Sequence, residues 1–216
     1  MTTLITGASR GIGAEIMRQM QARKDRVIGT TRGQEGKNLW RYDVTSPASV
    51  SDLQDSLSAQ AIDLLVCNAG VYPDKGRNIG DDLPAQMWAD VFAANVTGVY
   101  KTIEAALPAL RRAEGARIAI IGSQMGTRDK AQGGSYIYRA SKAAVINLAF
   151  NLAHDLRDEG IAVGVYHPGW VQTDMGGAEG AITPETSANQ LIRHFDALNM
   201  DKTGEFLTLD GQPHAL

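Results

Sequence analysis

Short apolar runs alternate with longer amphipathic segments from one end of the chain to the other. The apolar runs with the length of strands are Thr3–Thr6, Arg26–Thr31, Leu39–Tyr42, Ile62–Asn68, Arg117–Gly122, Ala162–His167 and Glu205–Leu209. The segments with a helical pattern are Gly11–Arg23, Pro47–Gln60, Pro84–Arg112, Tyr138–Asp158 and Pro184–Leu198. Regular alternation of strand and helix predicts an α/β fold, with a parallel sheet of about seven strands covered by helices on both faces.

The chain shows no linker, low-complexity tract or internal repeat, so we expect residues 1–216 to form one domain. Ser46 and Thr183 each precede a proline, and this pair is typical of the start of a helix. Two stretches rich in turn-forming residues, 73–82 and 175–183, are expected to be mobile loops.

Composition excludes several classes of protein. Hydrophobic residues make up 44% of the 216 residues and the net charge is −3, as expected of a soluble globular protein without a nucleic-acid partner. The single cysteine, Cys67, forbids an internal disulfide, and the four histidines lack metal-ligand spacing, so we predict no metal site. No apolar window reaches about 18 residues, and the first residues lack a signal-peptide pattern. We therefore expect a cytoplasmic protein without membrane contact.

The first predicted strand runs into the glycine-rich sequence TGASRGIG and then into a helix. Glycines at such a turn let the backbone approach a pyrophosphate, and the helix N-terminus supplies N–H groups and the positive end of a dipole. The sequence therefore predicts a Rossmann-type, doubly wound fold with a dinucleotide site. The residues expected to contact the dinucleotide at this turn are Gly7, Ser9, Arg10, Gly11, Ile12 and Gly13.

The end of the second predicted strand indicates which dinucleotide is bound. A site for NAD(H) usually has a carboxylate here for the ribose hydroxyls, whereas this chain has Thr31 and Arg32. Arg32, together with Arg10, is suited to pair with a 2′-phosphate. We therefore predict NADP(H) in preference to NAD(H).

Tyr138 and Lys142 lie four residues apart in a predicted helix, which places both side chains on one face. A free tyrosine titrates near pH ~10, and a neighbouring ammonium group favours the phenolate. At an effective dielectric constant of ~20, two charges ~4 Å apart interact by about 4 kcal/mol. We therefore expect Lys142 to lower the pKa of Tyr138 enough for proton transfer near neutrality.

With these two features the chain resembles the short-chain dehydrogenase/reductase family, and further motifs of that family follow in order. The segment GGSYIYRASKAA at 133–144 is most similar to the C-factor-like and sniffer-like carbonyl reductase branch. Residues that match the family's cofactor motifs are Asp43, Val44, Asn68, Ala69, Gly70, Tyr138, Lys142, Pro168, Gly169, Val171 and Thr173. Residues that match its catalytic positions are Asn95, Ser123, Tyr138 and Lys142.

The resemblance implies hydride transfer between NADP(H) and a small carbonyl or secondary alcohol substrate. Tyr138 would be the general acid or base, Lys142 would lower its pKa, and Ser123 would bind the substrate oxygen. Asn95 would hold a water molecule, unless its side chain merely bridges backbone groups within a helix. The family also implies a homo-oligomer. The alternative is a sensor or signalling protein of the same fold that binds NADP(H) with little catalysis.

The chain departs from the family in the spacing of its catalytic residues. Ser123 and Tyr138 are 15 residues apart (138 − 123), slightly more than the family norm. Tyr136 lies closer to the usual spacing, but the residue four positions later is Ala140, so no lysine partners it. We therefore assign proton transfer to Tyr138 and not to Tyr136.

Overall fold

The computed structural model describes residues 1–214, and its centre is a parallel sheet of seven strands. The strands are β1 (Thr2–Ile5), β2 (Arg26–Thr31), β3 (Leu39–Arg41), β4 (Leu64–Cys67), β5 (Arg117–Ile121), β6 (Ala162–Tyr166) and β7 (Phe206–Leu207). They lie in the order β3-β2-β1-β4-β5-β6-β7, which confirms the predicted doubly wound fold. The order reverses between β1 and β4, where such sheets open a crevice at their carboxyl ends.

Six α-helices connect the strands in the described part of the chain. They are α1 (Gly11–Ala22), α2 (Pro47–Ser56), α3 (Ala85–Phe92), α4 (Gly98–Leu110), α5 (Tyr136–Asp155) and α6 (Pro184–Ala197). Ser46 and Thr183 cap α2 and α6 through their side chains, which confirms the predicted starts. No helix of residues 1–214 has the length and apolar character that a membrane span requires.

The single helix predicted over Pro84–Arg112 is wrong in one respect. A π-helical turn, Ala93–Thr97, separates α3 from α4 and contains Asn95. The turn inserts one residue between two segments that each keep an α-helical pattern, so the sequence alone predicted one helix. Such turns occur often at functional sites, and this one lies beside the crevice.

Both faces of the sheet are buried. Successive residues of a strand point to opposite faces, and in β1 Leu4 belongs to one apolar layer and Ile5 to the other. The first layer includes Ile103 of α4 and Val145 of α5, and the second includes residues of α1 and α6. The two layers fix the helices against the sheet and hold the strand ends that form the site.

Candidate active site

A cleft of about 790 Å³ opens at the carboxyl ends of the strands. Its walls are the glycine-rich turn, the ends of β2 to β5, the start of α5 and the loop after β6. The predicted cofactor residues that line it are Gly7, Ser9, Arg10, Gly11, Ile12, Thr31, Arg32, Asp43, Val44, Asn68, Ala69, Gly70, Tyr138, Lys142, Pro168 and Thr173. The structure thus brings most of the predicted set to one surface.

Three predicted cofactor residues lie behind that surface. A methyl group on Gly13 would collide with the carbonyl oxygen of Gly7, so this glycine permits the close approach of α1 to the turn. Gly169 has a φ of +84° and packs against Ile182, and Val171 is only 3% exposed. These residues shape the cleft from behind its lining.

Asn68 supports the glycine-rich turn through its side chain. Its Nδ2 donates hydrogen bonds to the carbonyl oxygens of Thr6 and Gly7, both at 3.0 Å. Gly7 itself has a φ of +67°, a conformation that favours glycine. Together these contacts hold the backbone of the turn at the edge of the cleft.

Helix α1 begins at this turn without a capping side chain among the described residues. Arg10 is at the N-cap position, and the first turn of α1 contains no acidic residue. Gly11 and Ile12 line the cleft. The first backbone N–H groups of α1 and the positive end of its dipole are therefore available to an anion.

Two arginines, Arg10 and Arg32, belong to the cleft lining. Arg32 follows Thr31 in the cleft lining, and Arg10 donates to the Asp174 carboxylate at 2.7 Å in an exposed ion pair. The second acidic residue of the lining, Asp43, accepts two hydrogen bonds from Thr45, and these lower the pKa of its carboxyl. The end of β2 contributes no carboxylate to the lining.

Lys142 is buried in the floor of the cleft, with 7% of its surface exposed. Its ammonium group donates to the carbonyl oxygen of Ile121 at the end of β5, at 2.8 Å. Burial lowers the pKa of Lys142 to about 8. The Lys142 Nζ atom lies 5.6 Å from the centre of the Tyr138 ring.

Tyr138 is 8% exposed, and burial raises the pKa of its phenol above the ordinary value. A hydrogen bond with Ser123 acts in the opposite direction, and the nearby Tyr72 and Asp74 add to the increase. The expectation that Lys142 lowers the pKa of Tyr138 is not met in this structure. The cost of burying a phenolate outweighs the attraction of an ammonium group that is itself bonded to Ile121.

Ser123 lies two residues after the end of β5 and reaches Tyr138 despite the long spacing between them. Two short 3₁₀ turns, Gln124–Gly126 and Arg128–Lys130, accommodate the extra residues. The Ser123 Oγ atom accepts a hydrogen bond from the Met125 N–H at 3.1 Å. Ser123 is buried and its side chain bonds to the Tyr138 phenol, but neither Ser123 nor Tyr136 is part of the cleft lining.

Asn95 lies beneath the cleft, and its side chain is fully engaged. Its Oδ1 accepts from the Val71 N–H at 2.8 Å, and its Nδ2 donates to the Val71 carbonyl at 2.9 Å. Nδ2 also donates to the Ser141 Oγ atom at 3.0 Å. The side chain thus ties the loop after β4 to α5, which differs from the bridge within one helix considered in the sequence analysis.

Two residues outside the predicted site set contact Tyr138. The Tyr72 ring stacks on the Tyr138 ring with centroids 4.0 Å apart. Asp74 is fully buried and accepts hydrogen bonds from the first N–H groups of α5. The prediction that 73–82 is a mobile loop is therefore wrong at Asp74, because this buried side chain anchors it.

Comparison with known proteins agrees with this geometry. The sequence matches the short chain dehydrogenase family over residues 1–181. It is 38% identical to the C-signal protein of Myxococcus xanthus over 151 residues, which cover 69% of this chain and 90% of that protein.

Solved structures give the same result. The NADPH-bound carbonyl reductase from chicken fatty liver aligns with a TM-score of 0.89 and 27% identity, covering 100% of this chain and 98% of that one. The carbonyl reductase Sniffer of D. melanogaster aligns with a TM-score of 0.89 and 26% identity, covering 100% and 99%. The suspected likeness to the C-factor and sniffer branch is confirmed. From its sequence match, its sheet order and its cleft, this chain belongs to the short-chain dehydrogenase family of NAD(P)-dependent oxidoreductases.

Proposed function

We propose that the protein is an NADP(H)-dependent oxidoreductase that interconverts a carbonyl compound and a secondary alcohol. The observation that carries this proposal is the meeting of Tyr138 and Lys142 in the floor of the dinucleotide cleft, with the buried Ser123 bonded to Tyr138. An acid, a hydrogen-bond donor and a cation at one point are the groups that carbonyl reduction requires.

The residues of the cleft fit a dinucleotide. The glycine-rich turn leaves space at Gly7 and Gly11, and the uncapped start of α1 suits a pyrophosphate. Arg10 and Arg32 are suited to a 2′-phosphate, which favours NADP(H) over NAD(H). The chicken carbonyl reductase that this chain resembles was solved with NADPH bound, which supports the same choice. When bound, the dinucleotide supplies or accepts a hydride at its nicotinamide ring.

Tyr138 is the proton donor of the proposed reduction. Because burial disfavours the phenolate, the phenol keeps its proton at neutral pH and can donate it from Oη to the substrate oxygen. Ser123 donates its hydroxyl to the same oxygen and stabilises the negative charge that develops there. After proton transfer, the Lys142 ammonium stabilises the phenolate, and the Ile121 carbonyl holds the lysine in place. In oxidation these roles reverse.

The experiment is to follow NADPH consumption with a panel of aldehydes, ketones and quinones, using wild type, Tyr138→Phe and Tyr136→Phe. We expect Tyr138→Phe to lower kcat by about 10²–10⁴-fold, because only the proton donor is lost. Tyr136→Phe removes the same hydroxyl two residues away, outside the cleft lining, and tests whether the effect is specific. If Tyr138→Phe retains wild-type turnover, the assignment of the acid fails.

The similarity to the C-signal protein keeps the sensor alternative under test. A sensor needs the dinucleotide cleft but not the tyrosine and lysine in its floor or the serine bonded to that tyrosine. NADPH binding measured by fluorescence, without consumption of NADPH with any member of the panel, would favour the sensor. Turnover that depends on Tyr138 would exclude it.

A further inference from the structure

The loop after β4 places a buried carboxylate at the start of the catalytic helix α5. Asp74 has no exposed surface. Its Oδ2 accepts from the Ile137 N–H at 2.8 Å, and the Tyr138 N–H lies 3.2 and 3.3 Å from its two carboxylate oxygens. Asp74 therefore binds the backbone of the proposed proton donor itself.

The residue that precedes α5 does not supply this cap. Ser135 has a φ of +50°, and its side chain makes no cap hydrogen bond to the helix. Its Oγ atom instead shares a hydrogen bond of 2.6 Å with the Tyr72 hydroxyl, and its N–H donates to the Arg77 carbonyl at 2.8 Å. One loop thus accepts hydrogen bonds from the N–H groups of Ile137 and Tyr138 in the first turn of α5. It also accepts one from the N–H group of Ser135, which precedes the helix.

The same loop contacts the Tyr138 side chain. The Tyr72 and Tyr138 rings stack at 4.0 Å with an angle of 21° between their planes. Tyr138 is therefore held at its backbone by Asp74 and at its ring by Tyr72. A shift of this loop would move the phenol relative to Ser123, which follows β5 and does not belong to α5.

The chemical nature of the cap distinguishes α5 from the other helices. Ser46 and Thr183 cap α2 and α6 with neutral hydroxyl groups. A buried carboxylate costs more desolvation than a hydroxyl, and its negative charge lies close to the phenol. The charged or titratable groups that face Tyr138 are Lys142 from α5 and Tyr72 and Asp74 from the loop.

We propose that Asp74 is a positioning residue for Tyr138, which holds the first turn of α5 so that the phenol meets the substrate oxygen beside Ser123. This inference rests on the proposed function for its catalytic consequence. Its structural part, the hold of Asp74 on Ile137 and Tyr138, can be measured without a substrate.

The test compares Asp74→Ala, Asp74→Asn and Asn199→Ala with wild type. Asn199 is a matched control, because its Oδ1 also accepts from two backbone N–H groups, at 3.0 and 3.2 Å, on an exposed turn outside the cleft lining. We expect Asp74→Ala to lower kcat by about 10- to 100-fold, since small displacements of a reacting group have effects of this size. NADPH affinity should change by less than about threefold, and Asn199→Ala should change kcat by less than about twofold.

Two further measurements separate positioning from simple stability. Amide hydrogen exchange at Ile137 and Tyr138 should accelerate by about tenfold or more in Asp74→Ala. Asp74→Asn keeps the shape and one acceptor oxygen but removes the charge, so the phenol of Tyr138 should ionise at lower pH. The alkaline limb of kcat, and the ultraviolet titration of Tyr138 against a Tyr138→Phe reference, should both shift in that direction.

Each result decides one of the two proposals. A kcat of Asp74→Ala equal to wild type, with faster exchange at Ile137 and Tyr138, would overturn the positioning role. If Asp74→Ala does not fold, unchanged kcat and unchanged titration in Asp74→Asn would overturn it. If wild type reduces no carbonyl, the proposed function fails, while the exchange and titration still show whether Asp74 holds Tyr138.

Discussion

Helices α1 and α5 both begin at the cleft, yet within residues 1–214 only α5 has a side chain that accepts hydrogen bonds from its first N–H groups. The start of α1 has no capping side chain among the described residues and no acidic residue in its first turn. The start of α5 is closed by the buried carboxylate of Asp74. Both helices present the same unsatisfied N–H groups and positive dipole end, so the difference lies in what satisfies them.

The comparison suggests that the two sides of the cleft have different functions. The open side, at the start of α1, binds the ligand, and the catalytic side, at the start of α5, positions a side chain. N–H groups that the protein leaves open remain available to an anionic ligand, as at α1. N–H groups that the protein satisfies itself hold a protein group still, as at α5. The first arrangement favours binding of the dinucleotide, and the second favours the fixed geometry of a catalytic side chain.

The largest effect is expected from adding a capping side chain to the uncapped N-terminus of α1. Asp is a preferred N-cap residue, and Arg10 has the extended backbone conformation of an N-cap. Arg10→Asp should stabilise α1 by about 0.5–1 kcal/mol. It should also weaken NADPH binding by about 100-fold, because a carboxylate would then repel the phosphates. Thermal unfolding and NADPH titration measure the two effects.

The control for this change is Arg10→Ala, which removes the cation without adding a cap. We expect it to weaken NADPH binding by about tenfold or less, with no gain in stability. Equal affinities of Arg10→Asp and Arg10→Ala for NADPH would contradict the view that the open N-terminus of α1 binds an anion.

The second prediction tests whether the open side of the cleft prefers NADPH to NADH. Thr31→Asp combined with Arg32→Ala places a carboxylate at the end of β2 and removes a cation. The ratio of kcat/KM for NADPH to that for NADH should fall by about 10- to 100-fold, because the carboxylate repels a 2′-phosphate and accepts from ribose hydroxyls. Equal use of NADH and NADPH by wild type would show that the charge argument is wrong.

The two sides of the cleft also differ in how many of their structural features could be predicted from the sequence. The glycine-rich turn and the start of α1 are contiguous in sequence, and their function depends on backbone conformation that glycine makes possible. Tyr138 and Lys142 were found for the same reason, since helical spacing is local. The strands and their parallel arrangement followed from the alternating pattern, with errors of a few residues at the strand ends, whereas the strand order was not predicted.

The supports of the catalytic side were not predicted, because they depend on contacts between distant residues. Asp74 is 63 residues from Ile137, and Asn95 is 46 residues from Ser141. Nothing in the local pattern at 73–82 shows which of its polar residues will be buried. The pKa of Tyr138 was missed for the same reason, since its burial is a property of the assembled fold.

The third prediction concerns the cation on the catalytic side. Lys142 is cationic below its pKa of about 8 and neutral above it. If the cation contributes to NADPH binding, kcat/KM for NADPH should fall by up to about tenfold per pH unit above pH 8. Lys142→Arg keeps its charge throughout this range, so its profile should lack this decline even if its activity is lower.

A stability measurement checks the same pKa independently. An unfolded lysine has a pKa near 10.5, so between about 8 and 10.5 the folded chain binds fewer protons at Lys142 than the unfolded chain. The contribution of this residue to the free energy of unfolding therefore rises with pH across that window. The difference in unfolding free energy between wild type and Lys142→Met should change in the same window. A constant difference would refute the lowered pKa.

The smallest expected effect comes from a contact that joins the two sides. Lys75, next to Asp74, donates to the carbonyl oxygens of Met175 and Gly176, at 3.1 and 2.8 Å, in the loop after β6. Met175 lines the cleft, but the contacts are exposed, so each contributes little. Lys75→Met should raise KM for NADPH by about two- to fivefold and leave kcat within about twofold. Lys101→Met, which removes an exposed helical ion pair with Glu104, is the control for loss of a surface charge. A large decrease in kcat for Lys75→Met alone would mean that the loop after β6 also helps to position Tyr138, and the division between binding and positioning sides would then be too strict.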